Sequence, residues 1–135
     1  MGSRFIIKKG ENMEHLYLKW LDYRTNKKYL IGALFRDKEK GKYYFKMSRP
    51  HVEKAIQEKV ISRAMLPFYD LDKIYESDEL FAIFSVRLPT IEKFSKEELK
   101  ELLEDLEMDV YDEFEYLKKT KGMLETDKYI VEEEK

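Results

Sequence analysis

Residues 66–88, LPFYDLDKIYESDELFAIFSVRL, form the most apolar and most sharply punctuated stretch of the chain, and Pro89 closes it. In Tyr69-Asp70-Leu71-Asp72 two short carboxylates can fold back onto nearby backbone amides, which predicts an Asx turn. Ser77, followed by Asp78 and Glu79, has the chemistry of a helix N-cap, with negative charge at the positive end of the helix dipole. The spacing predicts a helix over 78–88, with Leu80, Phe81, Phe84 and Leu88 on one face and Ile83 and Val86 widening the apolar arc. Pro89 lacks an amide hydrogen and disfavours helical geometry before it, which sets the stop.

Upstream, the pattern is that of a sheet. Phe5-Ile6-Ile7 is a short β-prone run, read as an edge strand. Leu16, Leu18 and Trp20 alternate with His15, Tyr17, Lys19 and Leu21, as in a half-buried strand. Polar turns at 24–28 and 37–41 separate this from strands at 29–35 and 43–47, with Gly32 marking a bulge or a close contact. The result is an antiparallel meander. Ser48 is placed to cap a helix from about Pro50, with Val52, Ala55, Ile56 and Val60 inward.

Downstream, Ser95-Lys96-Glu97-Glu98 is a capping box, and Leu99, Leu102, Leu103 and Leu106 follow at helical spacing, a face that reads as core. Asp109 is placed to cap a last helix with Val110, Phe114 and Leu117 inward, Lys118, Lys119 and Lys121 at its negative end and Gly122 as its stop. A final strand is expected at 128–131 and a frayed tail at 132–135. The fold class is α+β: an N-terminal antiparallel β-meander covered by C-terminal helices, in one domain spanning 1–135.

The 135 residues contain no cysteine. That excludes a disulfide framework, a thiolate metal site and a thiol nucleophile, and points to a reducing, cytoplasmic setting. No apolar run approaches the length of a membrane span. The formal net charge of −2 hides a split. Residues 1–63 carry 16 lysines and arginines against 7 carboxylates, a net of +9, and residues 64–135 carry 10 against 21, a net of −11. The plainest account is mutual attraction of the halves across the fold; sharper ones are a basic face for nucleic acid or an acidic face for a basic partner.

No constellation carries chemistry. His15 and His51 stand alone, without a second ligand at metal spacing. Asp70, Asp72, Glu76, Asp78 and Glu79 lack the glycine and the ladder of oxygens of a calcium loop, and turn formation and capping explain them. The serines lack a nucleophile elbow and the glycines are scattered, so no phosphate-cradling loop exists. No enzyme activity, cofactor or metal is expected. Lys27, Lys28, Arg36, Lys38 and Lys40, with tyrosines near them, make up the candidate nucleic-acid surface. Because successive turns of a meander fall at opposite ends, they need not form one patch. The acidic residues of 97–115, Glu97, Glu98, Glu101, Glu104, Asp105, Asp109, Asp112, Glu113 and Glu115, make a band able to imitate a phosphate backbone or occupy a basic cleft, as a mobile-element-encoded inhibitor does.

The residues LPFYDLDKIYESDELFAIFSVRLP resemble a stretch of the N-terminal, non-catalytic domain of HipA-type serine/threonine kinase toxins, and a looser likeness extends over about residues 16–131. Leu30-Ile31-Gly32-Ala33-Leu34 is similar to that family's strand with a glycine between aliphatics, and Tyr44-Phe45 to its following strand. Similar central stretches also lie upstream of HIRAN-type DNA-binding domains. The resemblance implies a small α/β module without the kinase's phosphate-binding or catalytic motifs; in some three-gene relatives it is a separate protein that neutralises the toxin. Two departures stand out: Ala82-Ile83 replaces a proline expected after Glu-Leu-Phe, and the charged segment 93–121 has no counterpart in a standard toxin. The expected role is a non-enzymatic, antitoxin-like regulatory module that binds a protein partner, a HipA-like kinase foremost, through Asp72, Lys73, Tyr75, Glu76 and Glu79. Nucleic-acid binding is the alternative.

Overall fold

A computed structural model describes residues 13–133. The strand expected at Phe5-Ile6-Ile7 and the last two residues of the expected tail lie outside them. Three long strands come first, β1 (Met13–Asp22), β2 (Lys27–Asp37) and β3 (Lys42–Met47). Each turn between them is built on an aspartate. The Asp22 carboxylate accepts from Arg24 N and Thr25 Oγ1, and that of Asp37 from Glu39 N and Lys40 N. Two short strands complete an antiparallel sheet of order β4-β3-β2-β1-β5, with β4 at Ile74–Ser77 and β5 at Tyr129–Glu132.

Gly32 serves both purposes expected of it. The β1–β2 register slips beside it, between Leu18 and Lys19. A Cβ at Gly32 would lie 2.6 Å from the Lys46 carbonyl oxygen and 2.7 Å from Phe45 Cζ, so only glycine lets β3 approach.

One face of the sheet is the core. Leu16, Leu18 and Trp20 of β1 and Phe45 and Met47 of β3 meet Val52 and Ala55 of helix α1 (Arg49–Gln57). Phe114 and Leu117 of helix α4 (Glu113–Thr120) close the other end. The expected α1 forms, although the Ser48 side chain does not cap it; Ser48 Oγ lies 2.6 Å from His51 Nδ1 instead.

The central stretch departs from expectation. Asp70 Oδ1 accepts from Asp72 N at 2.9 Å, so the Asx turn is present. Ser77, however, ends strand β4 rather than starting a helix, and the helix that follows, α2, is a single turn at Ala82–Ser85 with Phe81 at its N-cap. The exposed side of β3 needs a hydrogen-bonding partner. Ile74 and Tyr75, residues with strong strand preference, supply it opposite Lys46 and Phe45. Tertiary pairing thus outweighs a good local cap. Leu71 and Phe84 are fully buried, and Leu80, Phe81, Ile83 and Leu88 pack at the margin of the core. Val86, expected in the apolar arc, is 61% exposed, while Arg87 beside it is buried.

Helix α3 (Lys96–Asp105) begins at the expected capping box, with Glu98 N donating to Ser95 Oγ and Ser95 N to Glu98 Oε1. Its leucines do not join the core: Leu99, Leu102, Leu103 and Leu106 are half-buried and lie outside the main cluster. The cap of α4 is Asp112, not Asp109, and Val110 is exposed. Asp112 wins because its carboxylate accepts from Glu115 N and at the same time holds Arg36. Glu132 is not tail but the end of β5.

Candidate functional site

Asp72, Lys73, Tyr75 and Glu76 fall on one strip, the Asx turn and the β4 strand it delivers to the sheet edge. Arg49 of α1 grips the Asp72 carboxylate with two hydrogen bonds, Nε to Oδ1 at 2.9 Å and Nη2 to Oδ2 at 2.6 Å. These bonds hold the Asp72 carboxyl below its ordinary range. Tyr75 lies on the core side of β4, opposite Phe45, stacked on Phe68 with centroids 4.1 Å apart. Its hydroxyl accepts from Asp70 N, and Lys73 Nζ sits 4.9 Å over its ring. Ile74 and Glu76 occupy the other side, opposite Lys46 and Tyr44. Lys42 reaches Glu76 at 3.3 Å and Asp78 at 2.8 Å. Glu79 follows in the exposed chain, its amide donating to Ser77 Oγ.

The outer backbone edge of β4 has no hydrogen-bond partner among the described residues. Ile74 on the strand and Tyr69 in the segment before it are exposed apolar side chains.

The five basic residues do not come together. Lys27 and Lys28 lie at the β1–β2 turn and Lys38 and Lys40 at the β2–β3 turn, opposite ends of β2. Lys28 is paired with Glu132 at 2.6 Å, and Lys27 sits over the Tyr29 ring. Arg36 is buried: it donates to Glu14 at 2.8 Å through Nε and to Asp112 at 2.8 Å through Nη1, and its guanidinium lies 4.4 Å over Phe114. The acidic band divides as well. Asp112 holds Arg36, Glu113 accepts from the Tyr43 hydroxyl at 2.7 Å and Glu115 meets Lys118 at 2.9 Å. Burial, and then the Glu113 carboxylate, push the Tyr43 hydroxyl up to about 12. On α3, Glu97, Glu101, Glu104 and Asp105 stay exposed.

Two clusters went unread in the sequence. Arg87 has no exposed side-chain surface. It donates to the carbonyls of Ile83 at 2.8 Å and Gly122 at 2.7 Å and to Asp127 at 2.7 Å, joining α2 to the loop before β5. Glu132 gathers Lys19 at 2.8 Å, Lys28 at 2.6 Å and Lys121 at 3.5 Å. The alternation in β1 places Lys19 off the core face, but nothing local pairs it with a carboxylate 113 residues away. Burial works against the Glu132 charge, yet the bonds from Lys19 and Lys28 prevail and hold it down at about 2.

Among the described residues no group of three or more histidines, aspartates or glutamates is placed to hold a metal ion, and no helix is long and apolar enough to cross a membrane. Comparison with family models, curated proteins and solved structures gives no match for this chain.

Proposed function

We propose that the chain is a non-enzymatic, antitoxin-like regulatory module of the cytoplasm that binds a protein partner, with a HipA-like kinase toxin as the leading candidate. The observation that supports this reading is the position of the segment singled out in the sequence: Asp72, Lys73, Tyr75 and Glu76 lie on or beside a sheet edge whose outer backbone side is unpaired among the described residues. An extended segment of the partner adds a strand there, backbone hydrogen bonds supply affinity, and the positive charge of Lys73 with the negative charges of Glu76 and Glu79 sets register. Action is by occlusion or restraint, without chemistry. A nucleic-acid accessory role asks for Lys27, Lys28, Arg36, Lys38 and Lys40 on one surface, and the burial of Arg36 and the separation of the two turns weigh against it.

Co-expression with a HipA-type kinase, followed by light scattering on the purified material, tests the proposal. The expected result is a complex that the double charge reversal Lys73→Glu with Glu76→Lys weakens by at least about tenfold, while the melting temperature of the module stays within a few degrees. Absence of a complex, or one indifferent to the reversal, refutes it.

A further inference from the structure

The two sides of β4 differ in chemistry. Pairing with β3 sets Tyr75 on the core side opposite Phe45, and Ile74 and Glu76 on the outer side opposite Lys46 and Tyr44. On the core side the strand ends in aromatic rings: Tyr75 is stacked on Phe68, which meets Phe81 edge-on with centroids 5.5 Å apart. On the outer side Ile74 is 39% exposed, the Glu76 side chain is 54% exposed, and that of Asp78 beyond it is 78% exposed.

Lys42 alone serves both carboxylates of that outer side, at 3.3 Å from Glu76 and 2.8 Å from Asp78. Lys46, the other base there, turns its ammonium group to the carbonyls of Met47 and Leu71. Arg49 is taken by Asp72 and Glu53, and Lys73 lies over the Tyr75 ring. One base between two carboxylates leaves the outer side negative. Its groups are solvent-exposed, so this charge adds little to the stability of the fold and is available to select a partner.

We propose, resting on the reading of β4 as an edge that accepts a strand, that the strand it takes is basic and amphipathic: lysine or arginine on the outer side, alternating with β-branched or aromatic residues on the core side. The period of two in an extended chain presents both rows at once. A basic residue opposite Glu76 meets its carboxylate, and one opposite Ile74 lays its methylene stem on that side chain while its head reaches Glu76 along the diagonal. A residue opposite Tyr75 extends the apolar row that Phe68 begins. An acidic strand would set like charges side by side, a cost that discriminates against it. A second copy of β4 is a poor match, because it brings Ile74 and Glu76 to the outer side and no base.

Amide chemical shifts of the full chain, followed during titration with three short peptides, test it: alternating lysine and valine, alternating glutamate and valine, and a block peptide with the composition of the first. Saturable shifts at 74–77 are expected with the alternating basic peptide, which binds at least about tenfold tighter than either of the others. Glu76→Gln with Asp78→Asn changes only exposed side chains, keeps the fold, and brings the alternating basic and acidic peptides within about threefold of each other. Equal or tighter binding of either control, a preference that survives the double variant, or no saturable shift at 74–77 with any peptide overturns the inference. So does protection of the outward-facing β4 amides that rises with protein concentration, since a second copy then holds the edge. The two readings fail separately. A kinase complex that forms and responds to the Lys73 and Glu76 reversal, beside peptides that bind without preference, removes the basic class alone. Selective peptide binding without a kinase complex removes the kinase alone.

Discussion

The sheet ends in two edges of unlike construction. At β5, Val131 N donates outward to the Lys121 carbonyl at 2.8 Å, Glu132 is held by lysines from β1 and β2, and buried Arg87 fixes the approach to the strand through Gly122 and Asp127. At β4, the inner side pairs with β3 and the outer side meets no backbone partner among the described residues. Folded chains usually blunt a free edge with charge, brevity or cover. β5 receives cover and charge, whereas among the described residues β4 has its four-residue length and the charge of Glu76. The β4 edge, left open among the described residues, is where the proposed partner would add its strand.

The difference between the two edges is most exposed to change at Arg87. Replacing it with alanine strands Asp127 and the Gly122 carbonyl, and chemical denaturation is expected to show a loss of about 3–5 kcal/mol, the usual cost of halving a buried ion pair. Glu132 offers a milder lever. Its carboxyl is held at about 2 in the folded chain, below its ordinary value of 4.5. The stability it contributes is complete above pH 4.5 and is lost as pH falls towards 2. Unfolding free energies from denaturant titrations across that window should fall by about 1–2 kcal/mol more in the parent than in Glu132→Gln. Hydrogen exchange sharpens the contrast without mutation: the Val131 amide should be strongly protected, and the outward-facing amides of β4 should exchange as fast as loop amides. The smallest effect is reserved for Glu76→Lys, expected to change stability by less than about 0.5 kcal/mol because its pairing with Lys42 is solvent-exposed. A larger loss would mean that β4 is closed by more than its charge.

The long strands were legible because their alternation and aspartate turns are local signals. Leu16, Leu18 and Trp20 face the core as their spacing requires, and Ser95 with Glu98 forms the box its spacing spells out. What escaped was decided at a distance. Ser77-Asp78-Glu79 has good capping chemistry, but the outer side of β3 recruits residues 74–77 first. A leucine stripe states that α3 is amphipathic and does not state which surface meets it. Arg87 sits in an apolar run where periodicity counts it as an exception, and its partners come from residues 122 and 127. The candidate strip around Tyr75 was legible as a segment, and its place at a free edge was not, since strand order is a property of the whole sheet.

The division of charge along the chain has a mechanical sequel. Lys19 and Lys28 with Glu132, Arg36 with Asp112, Lys42 with Asp78 and Arg49 with Asp72 all join the basic first half to the acidic second half. The crossing between the halves runs through Arg63–Met65, which lies exposed on the surface. Two pieces made by a cut there carry opposite net charge and are drawn together by long-range attraction that dilute buffer strengthens and concentrated salt weakens.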